Sequence, residues 1–214
     1  IVPIVDENRI LVYHGLKWLN SQPRPGIQAI LDMVKVKREL TVNDIVFIIG
    51  PRINAAGRIQ DARQAVDLLI AANSKVAFSE GQIIDEKNTE RRTLDLTITE
   101  HALQIVQEDA RFSQRKSTVL FHPDWHKGVI GIVASRLTEK YYKPSVVISV
   151  KDGIGKGSAR SVEHVDIFES FKHTDIYLEK YGGHKLAAGL TILEKNINSF
   201  TNELNNYMGS TTDD

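Results

Sequence analysis

The centre of the chain limits its fold more than any other stretch. From about Ser74 to Asp109 the sequence reads as one long helix, with apolar residues at 94, 98, 102, 105 and 106. Yet Lys87 to Thr93 contains seven residues and no apolar one. Two helical turns without contact residues cannot sit in a core, so this segment is expected to be a solvated connector between two lobes. At 214 residues the chain is long enough for two small domains.

The two flanks differ in pattern. Before the connector, short strands are expected around Ile10 to Tyr13, a proline-broken loop from Ser21 to Gly26, and a helix from Ile27 to Val34. Ile45 to Ile49 reads as a buried strand ending at Gly50-Pro51. Asp61 is a candidate N-cap for a helix with an apolar stripe at 62, 65, 66, 69 and 70. After the connector the elements alternate in the α/β manner. Strands are expected at Ser117 to Phe121, Ser145 to Val150 and Leu190 to Leu193, with helices at Gly128 to Lys140, Ile167 to Phe171 and Asn196 to Tyr207. The expected class is therefore α/β: two lobes joined by a long helix, the C-terminal lobe a mixed sheet flanked by helices. Residues 208–214 are expected to fray.

Composition removes several classes of function. Without cysteine there is no disulfide, thiol nucleophile or thiolate zinc site, which suits a cytoplasmic address. No run approaches the length of a membrane span, and no secretory leader is visible. The opening at Ile1, within an apolar run, is expected to belong to something longer. Charge is balanced at 27 against 27, but residues 111–160 hold ten Lys and Arg against Asp124, Glu139 and Asp152. That concentration suits an anionic partner such as nucleic acid, or simply a solvated face.

Four segments combine glycine with basic or polar residues. In Gly50-Pro-Arg-Ile-Asn-Ala-Ala-Gly-Arg58, Arg52 and Arg58 are placed to grip phosphate, or to pair with local acids such as Asp61 in a strand-to-helix turn. In His122-Pro-Asp-Trp-His-Lys-Gly-Val-Ile-Gly131, a helix start and Lys127 form a candidate anion site beside His126. Trp125 there is either a stacking face or core. His122 and His126 also raise a metal reading, without further ligands in register. In Gly153-Ile-Gly-Lys-Gly-Ser-Ala-Arg-Ser161 the glycines suit a hairpin. Lys156, Ser158, Arg160 and Ser161 are phosphate candidates, with Ser158 and Arg160 on one strand face. In Gly182-Gly-His-Lys-Leu-Ala-Ala-Gly189, the glycines are expected to present His184 on a sharp turn, as a phosphate donor or an acid.

In this order, GPRINAAGRI, KNTERR, WHKGVIGIVASRL, GSARS and GGHKLAAGLTI resemble the C-terminal half of RecJ-type exonucleases of the DHH phosphoesterase superfamily. The resemblance extends from about Pro3 to about Phe200. It implies a metal-dependent enzyme, with Mn or Mg, that releases nucleotides from the 5′ end of single-stranded DNA in DNA repair and recombination in the bacterial cytoplasm. It also implies that residues 1–73 are the tail of the DHH catalytic lobe, 74–110 the connector helix and 111–207 the DHH-associated substrate-binding domain. Arg52, Asn54 and Arg58 would then line the cleft near the scissile phosphate. Ser158 and Arg160 would hold the nucleic-acid backbone, while Gly182, Gly183 and His184 approach the terminal nucleotide, with His184 in a supporting role. No Asp-His-His occurs in the sequence, so no metal ligand and no activity are expected in this chain alone. Single-strand-binding protein is a family-level expectation as a partner. Two alternatives remain open: a DHH-type phosphodiesterase of nanoRNA or (cyclic) dinucleotides, and a non-catalytic nucleic-acid-binding scaffold.

Overall fold

The polar centre of the chain is helical, and α6 runs unbroken from Ser74 to Glu108. The structure, a computed structural model, describes residues 3–211. It divides into two units, the first ending at Arg92 and the second beginning at Thr93, so α6 contributes residues to both. Within the polar stretch Thr89, Glu90, Arg92 and Thr93 are exposed, but Asn88 is buried. Its side-chain oxygen accepts from Arg91 Nη2 at 3.0 Å, so an amide sits inside without an orphaned acceptor. The expectation of a wholly solvated connector fails at that residue.

The first unit is helical throughout: α1 (Asp6–Ser21), α2 (Pro25–Met33), the single turn α3 (Val42–Asp44), α4 (Gly50–Ile59), α5 (Arg63–Ile70) and the start of α6. The strands expected at Ile10 to Tyr13 do not form. Asp6 and Glu7 sit in the first turn of α1, where acids favour a helix N-terminus, and Leu16 and Leu19 pack on the core. The apolar run at Ile45–Ile49 is likewise not a strand but a π-helical turn leading straight into α4. Proline does not break the path because Pro51 falls in the first turn of α4, where its missing N–H needs no partner. Asp61 serves α5 from one residue further out than expected. Ala62 is the N-cap, and Asp61 Oδ1 accepts from the Arg63 N–H at 2.9 Å. The buried positions of α5 are Ala65 and Leu68, whereas Val66 and Ile70 are exposed.

Ile30, Leu68 and Ile84 are almost fully buried at the centre of this unit, each stabilising it by roughly 1.5–3 kcal/mol. A Cβ at Gly26 would overlap the Leu68 carbonyl, so glycine is what lets α2 and α5 approach. Asp44 closes the turn before the π segment. It accepts both arms of Arg38 at 2.7 and 2.8 Å, and the N–H and hydroxyl of Thr41 at 2.8 Å each. The Arg38 guanidinium, then the Thr41 donors, hold its carboxyl well below the usual carboxylate range.

The second unit is a five-stranded sheet in the order β1-β2-β3-β5-β4. The strands are β1 (Thr118–His122), β2 (Ser145–Lys151), β3 (Ile154–Arg160), β4 (Leu178–His184) and β5 (Ala187–Leu193). β1 and β2 are parallel, joined by the crossover helix α7 (Ile130–Tyr141); every other pair is antiparallel. The mixed α/β class read from the sequence is the observed one. One face, with Val146, Ile148, Ala159, Leu190 and Ile192, forms a dry core. It lies with α8 (Ile167–His173) and α9 (Ile197–Thr211), which supply Ile167, Phe171, Phe200 and Leu204. The expected frayed tail is helical as far as Thr211. Met208 extends the stripe of Ile197, Phe200 and Leu204 and is itself buried, which holds the last turns down. Residues 212–214 lie outside the described residues.

Candidate nucleic-acid interface

The opposite face of this sheet is built differently. Register places Lys156 opposite Thr191, Ser158 opposite Gly189, and Arg160 opposite Ala187. β4 continues the same rows with Lys180, Gly182 and His184. Directly paired residues share a face, so these nine positions form a three-by-three surface. Its middle row is Ser158, Gly189, Gly182. A Cβ added at Gly182 would meet nothing within 4 Å, and one at Gly189 only the Gly157 carbonyl at 3.7 Å. Packing within the unit therefore does not require glycine at either place. The result is a bare backbone floor with cationic and polar side chains around it.

At one side of the floor lies the start of α7. Gly131, in its first turn, lacks the Cβ that would stand 3.0 Å from Ser158 Oγ and 3.1 Å from Arg160 Nη2. Arg160 Nη1 donates to Ser158 Oγ at 3.1 Å and to the Ala159 carbonyl at 2.7 Å. Hydroxyl and guanidinium are thus held together, half-buried, against a helix N-terminus whose first N–H groups have no intrahelical acceptor. Guanidinium, hydroxyl and amide donors converging on one point can seat a phosphate group. Lys156, one row away, is exposed and donates to Thr191 Oγ1 at 2.9 Å.

His184 is exposed, but not on the sharp turn expected of it. Gly182 and Gly183 lie within β4, His184 ends that strand, and Lys185-Leu186 make the turn. Gly183 points away from the floor, has φ +152°, and a Cβ there would strike the Ala187 carbonyl and come within 2.5 Å of Ala188 Cα. The two adjacent glycines therefore have separate causes: Gly183 is demanded by the backbone, Gly182 is not. His184 Nδ1 accepts from the Leu186 N–H at 3.3 Å, which leaves Nε2 as the outward donor of the neutral ring. The glycines of the third segment also divide. Asp152 and Gly153 form the tight turn, with φ of 52° and 74°. Gly155 and Gly157 instead lie inside β3, where a Cβ would press on Ile148, Leu190 and Ile192.

Several expected contact residues have other occupations. Arg52 is buried, its Nε on Asp85 Oδ1 at 2.8 Å and its Nη1 on the Ile48 carbonyl at 3.0 Å. Asn54 and Arg58, four residues apart on α4, are exposed on another face of that helix. Trp125 is buried, and its Nε1 donates to His101 Nδ1 at 3.3 Å, so its ring is not an open stacking platform. His122 joins the same ring cluster, 4.7 Å from His101. His126 Nδ1 accepts from the Gly128 N–H at 3.1 Å, while Lys127 is exposed beside it. Ser161 lies just past β3, and its hydroxyl donates to the Val165 carbonyl at 2.9 Å. Gly131 and Thr191 fall within the motifs read from the sequence without a role of their own, and Lys180 lies outside them. The small-residue alternation shared by GSAR and LAAG was the available sign that these strands pair.

Hard divalent ions need several convergent oxygen ligands. Among the described residues no three His, Asp or Glu side chains are arranged to hold a metal, so the residues present do not fit Mg²⁺ or Mn²⁺. Among them, too, no helix is long and apolar enough to cross a membrane.

Comparison with known proteins gives this surface a family setting. Residues 114–210 match the DHHA1 domain. The whole chain is 32% identical to the single-stranded-DNA-specific exonuclease RecJ of Dickeya dadantii and 35% identical to that of Haemophilus influenzae, covering 38% and 39% of those proteins. The Bacillus subtilis RecJ is 33% identical over 99% of the chain, which covers 27% of it. The chain therefore spans well under half the length of these relatives. Among solved structures, RecJ from Thermus thermophilus in complex with Mg²⁺ superposes with a TM-score of 0.87 at 30% identity, over 98% of this chain and 32% of that one. A RecJ exonuclease bound to manganese gives 0.83 at 31% identity, over 98% and 51%. Residues 114–210 match the DHHA1 domain, and the chain along its whole length is similar to a part of RecJ exonucleases.

Proposed function

We propose that this chain is the nucleic-acid-binding part of a metal-dependent, single-strand-specific 5′→3′ exonuclease. The observation that carries the reading is the seat formed by Ser158, Arg160 and the start of α7 beside a glycine floor that internal packing does not explain. A sugar–phosphate backbone fits such a floor. Its anionic oxygens meet donors, and its bulk needs the absent side chains. Arg160 and Ser158 hold one phosphate, Lys156 and Lys180 flank the track, and His184 Nε2 donates to the end of the strand. Residues 1–73 belong to the catalytic lobe of the parent, 74–110 connect, and 111–207 bind substrate. A divalent metal held by the parent protein would supply an activated water and neutralise phosphoryl charge. Its ligands belong to residues outside this chain, which alone has no nuclease activity. This chain's side chains position the strand and complement its charge. Asn54 and Arg58 remain candidates for the substrate side of the first unit.

Arg160→Ala tests the reading. Affinity for single-stranded DNA should fall by roughly 1–3 kcal/mol, and the slope of log affinity against log salt should flatten by about 0.7, the value for one phosphate on a single strand. The loss should be the same for every base sequence, because phosphate contacts position without specifying. A lower melting temperature with unchanged affinity would make Arg160 a scaffold residue instead.

A further inference from the structure

Beside Lys156 the second unit has a cleft that the phosphate seat does not use. Its volume is about 610 Å³, within the range that admits a nucleoside, and it is lined by the loop after β1, the β2–β3 hairpin and Leu94 of α6. Its walls are mixed in a specific way. Leu94, Pro123 and Ile154 supply apolar surface, and Ile154 is 43% exposed although it lies in a strand. Lys127, Lys151 and Lys156 bring three positive charges to the lining, against Asp124 and Asp152. Ser149 shares the sheet face of Lys156, its direct partner in register.

We infer that this cleft is a nucleobase subsite, adjoining the phosphate seat, that takes one unstacked base of a single strand. The inference rests on the nucleic-acid reading above and deepens it. Lys156 is the shared element: it lines the cleft and stands one row from Ser158 on the same strand face, about 7 Å along β3. A strand with one phosphate at Ser158 and Arg160 passes Lys156 next, which brings the adjoining base to the apolar walls. Flat, largely apolar ring faces fit between Leu94, Pro123 and Ile154, while the lysines meet the flanking phosphates. Such a site accepts any base, because every base has a π-face, and it rejects a duplex, whose bases are stacked. Trp125 contributes to the wall without stacking, since its indole is buried.

That burial also provides the test. The chain has two tryptophans, and Trp18→Phe leaves Trp125 as the reporter. The 214-residue chain carrying that change is titrated with a short oligothymidylate, and in parallel with an abasic oligomer of equal length. The expected result is a saturable change in Trp125 emission with oligothymidylate, and binding about tenfold tighter than the abasic strand. Ile154→Ser and Leu94→Ser, made separately, should each bring oligothymidylate down toward the abasic affinity and leave abasic binding unchanged. Equal affinities for the two oligomers would overturn the subsite and leave the phosphate seat standing, as would equal losses for both in the serine variants. Failure of both oligomers to bind would remove the nucleic-acid reading, and the subsite with it.

Discussion

Arg52 and Arg160 lie in similar short stretches, GPRINAAGR and GSARS, each with glycine and alanine within three residues, and the two units treat them differently. In the helical unit, Arg52 turns inward from α4 and finds Asp85 of α6 at 2.8 Å, with the Ile48 carbonyl behind it. In the sheet unit, Arg160 lies on a strand whose face neighbours are Ser158 and Ala187, and it donates to the Ser158 hydroxyl and the Ala159 carbonyl. A helix turns a side chain by about 100° per residue, so one arginine of GPRINAAGR must face the interior while Asn54 and Arg58 face out. A strand sends every second side chain to the same surface, so Ser158 and Arg160 arrive together. The element beneath an arginine, more than the residues beside it, decides whether it turns inward alone or shares a surface with its neighbours.

The largest effect that sharpens this contrast is expected at Gly183. Gly183→Ala forces a β-carbon into the Ala187 carbonyl in a backbone conformation that side chains rarely adopt. It should destabilise the second unit by more than about 2 kcal/mol, through strain and overpacking. Calorimetry on the chain should show the transition of that unit falling while the helical unit melts as before. A wild-type profile would mean that β4 does not pair with β5 in the register described.

Arg52→Ala comes next and should mirror Arg160→Ala. Asp85 is 38% exposed, so water can take over part of the lost pairing, and the loss should be about 1–2 kcal/mol rather than that of a fully buried pair. The helical unit should melt earlier, and single-strand affinity should not change. If affinity falls and melting does not, Arg52 is a ligand contact and the contrast between the two arginines collapses.

The sequence disclosed the second unit far better than the first, for a physical reason. Strand-helix alternation in residues 117–207 has two distinct periods, so most elements were recognisable, but β4 was missed because its Gly182-Gly183-His184 end reads as a turn. In residues 1–73 the signals were short apolar runs, which periodicity alone cannot assign, and Ile45–Ile49 and Ile10–Tyr13 were read as strands. Length decided the outcome: α1 continues through Leu16 and Leu19, and the π turn feeds α4 without a break. The candidate site was legible as a set of residues but not as a surface. Ser158 and Arg160 could be placed on one face by counting. That Gly182 and Gly189 lie beside them depends on β5 inserting between β3 and β4, a long-range pairing with no local sign. The same limit hid the fate of Trp125, whose partner His101 is 24 positions away.

The smallest expected change asks whether the floor is bare for a ligand's sake. Gly182→Ala adds one methyl at a position where nothing lies within 4 Å, and φ there is not positive. Folding should be unharmed or slightly improved, by a few tenths of a kcal/mol up to about 1 kcal/mol, because alanine loses less chain entropy than glycine. If a sugar–phosphate backbone crosses this floor, the same methyl stands in its path. Affinity for single-stranded DNA should then drop several-fold, about 1 kcal/mol, with the salt dependence unchanged because no charge is lost. A stabilised protein that binds less well is the pattern of a site kept open against its own stability. A stabilised protein that binds equally well would show that the strand runs elsewhere, and the adjacent pair Gly182 and Gly183 would then differ only in how much room the fold leaves each of them.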